Sequence, residues 1–276
     1  MSTAIARLKE EFLRKQGEDA AVLVTSPENR FYLTGFPSSA GAVLVTPKKA
    51  YFLTDFRYAE AARRVVSGSE VVCIKKMNDT LRELMEQDGV RRVFVEFERL
   101  TLKQAHAFEE AFAKSSIQVE KGGALDSALQ ELRTIKTPEE IQKLREAQKI
   151  TDDAFTHILD YIRAGRTERE VALELEFFMR RQGAEGVSFD FIVVSGKNGS
   201  LCHGVPSDKV IENGDFVTMD TGALLHGYHA DMTRTVAVGH VSDEQRHAYD
   251  LVLRSQLAAI DAVKPGVPCE DIDKVA

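Results

Sequence analysis

Two aspartates, Asp220 and Asp231, lie within an apolar, strand-like stretch, MDTGALLHGYHADMTRT, at residues 219–235. If this stretch folds into a β-hairpin whose loop is centred between Leu225 and His226, opposed residues have numbers that add to 451, as these two aspartates do. Their Cβ atoms then lie directly opposite each other, about 4.5–5.5 Å apart. Two like charges at this distance destabilise a sheet unless a cation, a shared proton or water compensates them. Because two divalent ions bridged by a carboxylate suit this geometry, the spacing indicates a candidate metal site.

The same spacing is also compatible with an ordinary hairpin. The register could slip at Gly222 or Gly227 so that one aspartate faces outward, and aspartates at loop ends are common. Thr221, Thr233 and Thr235 bring hydroxyl groups near the pair, as the surroundings of a metal site would, but threonine is also a common strand residue. The spacing alone leaves both interpretations open.

The composition excludes several classes of function. The chain has 276 residues, of which 43% are hydrophobic and 29% charged, which is typical of a soluble protein with room for two domains. A net charge of −7 and the lack of any long basic run argue against nucleic-acid binding. No stretch resembles a signal peptide or reaches the roughly 18 apolar residues of a membrane span. The three cysteines, Cys73, Cys202 and Cys269, are far apart and odd in number, so we expect a cytoplasmic protein without disulfides.

The elements that must position the aspartates fall into two groups, and the first group alternates strands with helices. Short apolar runs predict strands, and amphipathic patterns predict helices between them. The adjacent runs at 42–45 and 51–54 indicate a hairpin, so the sheet is expected to be mixed. The predicted strands are 21–24, 42–45, 51–54, 70–74 and 92–96, and the predicted helices are 3–16, 56–66, 78–87 and 101–113. We place the end of this α/β domain at residue 125.

The second group begins with two long helices and continues with strands. Capping boxes start helices at Thr137 with Glu140, at Thr167 with Glu170 and at Ser242 with Gln245. Residues 189–239 between them are rich in strand patterns. Within that region SGKNGS, at 195–200, lacks the spacing of a phosphate-binding Walker loop and is predicted to form a hairpin turn. The fold class is therefore α/β, with a second domain over 126–276.

Four stretches of the sequence resemble a known family. They are MDTG with GYHADMTRT; FIVVSGKNGSLCHGVPSDKVIENGDFV; ELRTIKTPEEIQKLREAQKITDDAF; and NRFYLTGF with YFLTDFRYAEAA. Together they are similar to the metallopeptidase family of Xaa-Pro dipeptidases (prolidases) and aminopeptidases P. The resemblance implies a creatinase-type N-terminal domain over 1–125. It also implies the first part of a pita-bread catalytic domain over 126–276.

The resemblance assigns roles to three residues. It implies that Asp220 and Asp231 are two of five metal ligands and that Asp231 bridges both ions. It also implies that His203, in LCHGVP, is catalytic and contacts the substrate or the developing tetrahedral intermediate. Without the resemblance, a single histidine in a Gly/Ser loop would be interpreted as a surface residue.

The family's other three ligands, one histidine and two glutamates, lie in motifs that do not occur in this sequence. His240, Glu244, His247 and Glu270 do not replace them, because they lie on or beside a capped amphipathic helix and are expected to face solvent. We therefore expect the catalytic domain to be incomplete in this chain, and the chain alone to be inactive.

The resemblance implies metal-dependent hydrolysis of the peptide bond that precedes proline, in a small peptide with proline at its second position. Hard carboxylate ligands favour two Mn²⁺ or Co²⁺ ions in the complete enzyme, and zinc stays open. In this chain alone we expect the ions to be absent or disordered. A homodimer is expected. Three alternatives remain: an aminopeptidase P that accepts longer peptides; a creatinase, against which the intact aspartate pair argues; and a non-catalytic binding protein on a peptidase fold.

Overall fold

A computed structural model of the chain describes residues 3–276. The chain forms two compact units, Met1–Lys136 and Thr137–Ala276. This division lies after the boundary placed at 125. The reason is the helix Ala124–Thr134, whose three leucines (Leu125, Leu129 and Leu132) are buried in the hydrophobic core of the first unit.

The described residues of the first unit build a six-stranded mixed sheet in the order β4-β3-β2-β1-β5-β6. Strands β1 and β2 are antiparallel, as are β2 and β3, whereas the remaining pairs are parallel. The predicted hairpin and the predicted mixed sheet are therefore confirmed. The strands are β1 (Ala20–Val24), β2 (Ala42–Val45), β3 (Ala50–Thr54), β4 (Glu70–Cys73), β5 (Arg92–Val95) and β6 (Gln118–Glu120), of which β6 was not predicted.

Helices cover both faces of this sheet. Along β1, Ala20, Val22 and Val24 belong to one buried cluster, and Ala21 and Leu23 belong to the cluster on the opposite face. The helices are α1 (Ala4–Leu8), which continues through a π-helical turn (Lys9–Leu13) into α2 (Arg14–Gln16), α3 (Pro27–Thr34), α4 (Phe56–Val65), α5 (Met77–Asp88), α6 (Leu102–Ala113) and α7 (Ala124–Thr134). Helices α3 and α7 were not predicted. The prediction missed α3 because it is short and its four buried residues include Asn29 and Arg30, which weakens the apolar pattern.

The second unit begins with two helices and continues with short strands. The predicted capping boxes at Thr137, Thr167 and Ser242 are all present. The helices are α8 (Pro138–Tyr161), α9 (Glu168–Arg181), α10 (Asp243–Ala262) and α11 (Cys269–Val275). The strands are β7 (Gly186–Val187), β8 (Ile192–Ser195), β9 (Phe216–Thr221), β10 (Ala223–Leu225), β11 (Tyr228–His229) and β12 (Met232–Ala237).

The strands of the second unit pair, within the described residues, as two three-stranded sheets, β12-β9-β8 and β11-β10-β7. One hydrophobic cluster covers one face of the first of these sheets and contains Val193, Val217 and Met219 together with residues of α8 and α9. The segment after β8 is a 3₁₀-helical turn, Gly196–Ser200. The predicted hairpin turn at 195–200 is therefore wrong, because β8 pairs with β9 and the chain between them is a long loop.

None of the helices within residues 3–276 is long and apolar enough to span a membrane.

Candidate active site

The register around the two aspartates differs from the predicted one. Strand β12 pairs with β9 so that Thr233 lies opposite Asp220 and Met232 opposite Thr221. Opposed residues therefore have numbers that add to 453, and the prediction that Asp220 and Asp231 face each other directly is wrong. Asp231 precedes the first paired residue of β12 and follows Ala230, whose backbone N–H donates to the Ala223 carbonyl.

The turn of the hairpin explains the shift. Leu225 pairs with Tyr228, so the loop consists of His226 and Gly227 alone. Both loop residues have positive φ, 53° and 72°, as a type I′ turn requires. A turn centred one residue later than predicted moves the pairing by two positions. The glycine at 227 was the signal in the sequence that could have located it.

A shift of two positions is compatible with both aspartates on the same face of the sheet. Side chains alternate between faces along a strand, and in β9 the residues Val217, Met219 and Thr221 are buried, while Asp220 is half-buried. Asp231 is exposed and lies two residues before Thr233, the partner of Asp220. If the alternation of β12 continues to Asp231, which precedes its first paired residue, the two aspartates are diagonal neighbours, for which Cβ atoms are about 7–8 Å apart or slightly less. This spacing leaves room for a cation between the carboxylates instead of forcing them into contact.

The directly opposed position is occupied by a hydrogen-bond donor. Thr233 Oγ1 donates to Asp220 Oδ1 at 2.7 Å. Of the other two threonines named from the sequence, Thr221 is buried on the opposite face, and Thr235 shares a hydrogen bond with Thr218 at 2.9 Å. Thr233 therefore orients the Asp220 carboxylate.

Two further contacts fix the chain between the aspartates. A Cβ atom at Gly222 would collide with the carbonyl oxygen of Ala230, so only glycine allows the strands to approach this closely. On the next residue, the Ala223 backbone N–H donates to Thr151 Oγ1 of α8 at 3.0 Å, and Thr151 is fully buried. Helix α8 thus holds the hairpin in place at Ala223.

His203 is exposed and lies in the loop 196–208, which we call the His203 loop. A Cβ atom at Gly204 would lie 2.5 Å from Val194 Cγ1, so the backbone beside His203 packs directly on β8. Val194 pairs with Thr218, and Ile192 pairs with Asp220. Since opposed residues of an antiparallel pair share a face, the His203 loop covers the face that carries Asp220, about 7 Å along the strand from it.

Sequence reasoning missed Glu168, the first residue of α9, which is fully buried. Its Oε1 accepts hydrogen bonds from Ser195 N at 2.7 Å and Ser195 Oγ at 3.0 Å. Its Oε2 accepts from Ser207 N at 3.2 Å and Ser207 Oγ at 2.6 Å. The Asn198 amide donates to both oxygens. Burial raises the pKa of Glu168, but these hydrogen bonds outweigh that effect and leave the pKa below its ordinary value.

The residues that the structure brings together fit part of a divalent-ion site. Within residues 3–276, no hydrogen bond or ion pair involves the Asp231 carboxylate. The Asp220 carboxylate accepts the Thr233 hydrogen bond at one oxygen, and its other oxygen is available as a ligand. Carboxylate oxygens are the ligands that hard divalent cations prefer. In the same described range no three His, Cys, Asp or Glu side chains come together as a metal cluster. The four side chains judged to face solvent are exposed: His240, Glu244, His247 and Glu270.

Comparison with known proteins identifies the family. Residues 142–276 match metallopeptidase family M24, and residues 5–135 match the creatinase/prolidase N-terminal domain. An uncharacterized peptidase of Bacillus subtilis is 42% identical over 253 residues, which cover 91% of this chain and 70% of that protein.

Two solved structures are similar over nearly the whole chain. The Xaa-Pro dipeptidase from Bacillus anthracis has 41% identity and a TM-score of 0.91, with 99% of this chain and 75% of that chain covered. The X-Pro aminopeptidase from Thermotoga maritima has 32% identity and a TM-score of 0.86, with coverages of 95% and 75%. The two matched regions account for both compact units, and the chain therefore belongs to metallopeptidase family M24, with a creatinase/prolidase N-terminal domain.

Proposed function

We propose that this protein is a metal-dependent Xaa-Pro dipeptidase that hydrolyses the peptide bond before proline. One observation carries the proposal: Asp220 is paired with Thr233, Asp231 lies two residues before Thr233, and the backbone beside His203 packs on the face of the sheet that carries Asp220. The 41% identity to the Xaa-Pro dipeptidase from Bacillus anthracis supports this choice of substrate.

Asp220 and Asp231 would hold the divalent ions in this proposal. Mn²⁺ or Co²⁺ suits the hard oxygen donors. When bound, the ions supply Lewis-acid polarisation and neutralise negative charge. Thr233 orients Asp220 by its hydrogen bond, so that the other carboxylate oxygen is free to act as a ligand.

His203 contacts the reacting group of the substrate in this proposal. An imidazole N–H can donate a hydrogen bond to the oxygen on which negative charge develops during attack on the carbonyl. The histidine is exposed, and its loop packs on β8 on the face that carries Asp220, which supports a role for both in one site.

Hydrolysis of Ala-Pro tests the proposal. The assay uses the 276-residue chain and the longest product of its reading frame, with Mn²⁺ and after treatment with a chelator. Where hydrolysis is measured, Asp220→Asn and Asp231→Asn should each lower kcat/KM by about 100-fold or more, since even residues that only orient a metal ligand contribute about 10–100-fold. His203→Ala should lower kcat more than it weakens metal binding. Asp250→Asn, an exposed aspartate of α10, is the matched control and should leave turnover unchanged.

Manganese binding gives a readout that does not depend on turnover. Titration of the longest product of the reading frame with Mn²⁺, followed by the electron paramagnetic resonance of the free ion, should show binding that both Asp220→Asn and Asp231→Asn weaken. Binding that survives both substitutions would contradict the ligand assignment, and hydrolysis that survives the chelator would contradict the metal-dependent mechanism.

An aminopeptidase P is the second candidate, because the chain is also 32% identical to the X-Pro aminopeptidase from Thermotoga maritima. Comparison of Ala-Pro with Ala-Pro-Ala separates the two. A dipeptidase prefers the first substrate, whereas an aminopeptidase P releases alanine from the second. If neither peptide is cleaved and Mn²⁺ does not bind, the protein is a binding module on this fold.

A cytoplasmic homodimer completes the proposal. Three free, exposed cysteines, Cys73, Cys202 and Cys269, are compatible with a reducing compartment. Light scattering after size-exclusion chromatography measures the oligomeric state, and cell fractionation measures the location.

A further inference from the structure

The two ends of the His203 loop meet at one buried carboxylate. Glu168 Oε1 accepts from the backbone and side chain of Ser195, where the loop leaves β8. Glu168 Oε2 accepts from the backbone and side chain of Ser207, where the loop returns. Donor and acceptor are thus 27 residues apart at one end and 39 at the other, so the contact joins segments that the local sequence does not hold together.

The return end of the loop has a second attachment that does not need the Glu168 side chain. The backbone N–H of Arg169 donates to the Ser207 carbonyl at 3.0 Å, and the N–H of Glu168 donates to the Lys209 carbonyl at 3.1 Å. Lys209 also reaches back to the outgoing end through its Nζ, which donates to Ser195 Oγ at 2.9 Å. The outgoing end is also held by the pairing of Ser195 with Val217 of β9, so Glu168 acts mainly on the segment that follows, where the Asn198 amide donates to both of its oxygens.

A second buried glutamate accepts its hydrogen bonds from a single segment and so differs from Glu168. Glu96 in the first unit is also fully buried. Its donors, the backbone and side-chain groups of Thr25 and Ser26 and the amide of Asn29, all belong to one short segment at the start of α3. Glu96 therefore fixes a helix start, whereas Glu168 fixes the distance between two ends of a loop.

We propose that Glu168 is a positioning residue that sets the placement of His203 on the face that carries Asp220 by holding both ends of the His203 loop. The proposal rests on the role given to His203 in the proposed function. A carboxylate suits this task because both its oxygens accept hydrogen bonds, whereas an amide of the same shape would present an N–H₂ group to one of the two ends. The penalty of an unpaired buried donor then acts on that end alone.

Hydrogen exchange of Glu168→Gln tests the positioning step. Exchange in 196–206 should become about tenfold faster or more, because the charge-assisted hydrogen bonds from Ser195 and Asn198 are weakened when the carboxylate charge is removed. Exchange in 207–211 should change less, since the backbone bonds from Arg169 and Glu168 remain. Strand β9 should keep its wild-type protection.

Glu96→Gln is the matched control, because it removes the same chemistry from the other unit. It should accelerate exchange at 25–30 and leave the His203 loop unchanged. A loop that keeps wild-type exchange in folded Glu168→Gln overturns the proposal. Equal acceleration in β8, β9 and the loop also overturns it, since that result describes loss of stability without a local effect.

Ser207→Ala keeps the proposal testable if Glu168→Gln does not fold. It removes one hydroxyl donor and retains the buried charge, and should accelerate exchange of the loop about two- to fivefold. Wild-type exchange of the loop in this folded variant, when Glu168→Gln gives no folded protein, overturns the proposal.

Turnover of Ala-Pro separates this inference from the proposed function. Glu168→Gln should lower kcat about tenfold with KM changed less than about twofold, because a misplaced group acts on the transition state. If His203→Ala leaves turnover unchanged while Glu168→Gln still accelerates exchange of the loop, the catalytic role of His203 is contradicted, but the attachment of the loop to Glu168 is supported. If His203→Ala lowers turnover and Glu168→Gln alters neither exchange nor kcat, only the positioning proposal fails.

Discussion

The sheets of the two units place their residues in different surroundings. Strand β1 of the first unit is buried at all five positions, since helices cover both faces of its sheet. Strand β9 of the second unit alternates between buried and half-buried positions, with one face in the hydrophobic core. A carboxylate on β1 would lose its hydration without compensation, whereas a carboxylate on β9 keeps access to water and ions. Only the sheet with an open face can carry the aspartate pair.

The buried glutamates refine the comparison. Glu96 and Glu168 are each satisfied by several hydrogen bonds and are each fully buried. One serves a helix start in the covered unit, and the other joins the ends of the loop over the open face. The same side-chain chemistry therefore gives local stability in one unit and long-range positioning in the other, depending on where its donors lie in the chain.

A charge placed in the covered sheet is expected to have the largest effect. Val22→Asp in β1 buries an unpaired carboxylate and should lower the free energy of unfolding of the first unit by about 4 kcal/mol or more. Ala237→Asp, at an exposed position of β12, is the control and should change stability by less than about 1 kcal/mol. Urea unfolding followed by hydrogen exchange of each unit measures both. Equal free energies of unfolding in the two variants would contradict the proposed difference between the sheet of the first unit and that of the second.

A side chain at Gly222, where the two strands approach closely, is expected to have the next largest effect on stability. Gly222→Ala places a methyl group against the Ala230 carbonyl and should destabilise the second unit by about 1–3 kcal/mol. It should also weaken Mn²⁺ binding, because the strands that carry the aspartates move apart. Gly199→Ala, where an added Cβ meets no atom within 4 Å, is the control for both measurements. Wild-type Mn²⁺ binding in Gly222→Ala would show that metal binding does not depend on the close approach of the two strands.

Loss of the hydrogen bond between the Ala223 N–H and Thr151 of α8 should have a smaller effect on stability. Thr151→Val keeps the shape of the side chain and leaves the Ala223 N–H without its acceptor, which should cost about 1–2 kcal/mol of unfolding free energy. Thr156→Val on the same helix is a close control. Both hydroxyls donate to the carbonyl four residues earlier, but Thr156 is exposed. Thermal unfolding measures the difference, and equal losses in the two variants would remove the role of Thr151.

The smallest effect concerns pH. The pKa of Glu168 is lowered in the folded protein, so the unfolded chain binds more protons between the folded and unfolded pKa values. The stability from this group is present above about pH 4.3, the ordinary pKa of glutamate, and is lost as the pH falls through the folded value. Stability curves between pH 6 and 3 should therefore be flatter for Glu168→Gln than for the wild type.

Asp215 contributes to the same acid loss in both proteins. Burial raises its pKa, but the hydrogen bond from Lys209 and further interactions leave the pKa lowered. Some acid dependence should thus remain in Glu168→Gln. An unchanged curve would show that the Glu168 network does not contribute to stability.

Features that depend on neighbouring residues were predictable. Each of the three predicted capping boxes, at Thr137, Thr167 and Ser242, joins residues three positions apart, so the sequence specifies it within one segment. The buried strands of the first unit follow from continuous apolar runs, because a sheet covered on both faces requires apolar residues at every position. The family motifs around Asp220, Asp231 and His203 are equally local, and the comparisons confirm the family that they indicated.

Features that depend on distant segments were not predictable from these patterns. A register shift of two residues leaves every side chain on its original face, so the apolar pattern that places Asp220 and Asp231 together does not distinguish 451 from 453. Only the turn at His226 and Gly227 decides it. Glu168 reads as an ordinary first residue of a capped helix, and its donors lie 27 to 39 positions away. The sequence by itself determined the family and most of the elements, whereas the tertiary structure decided the register of the aspartate hairpin and the attachment of the His203 loop to Glu168, because those depend on contacts between segments far apart in the chain.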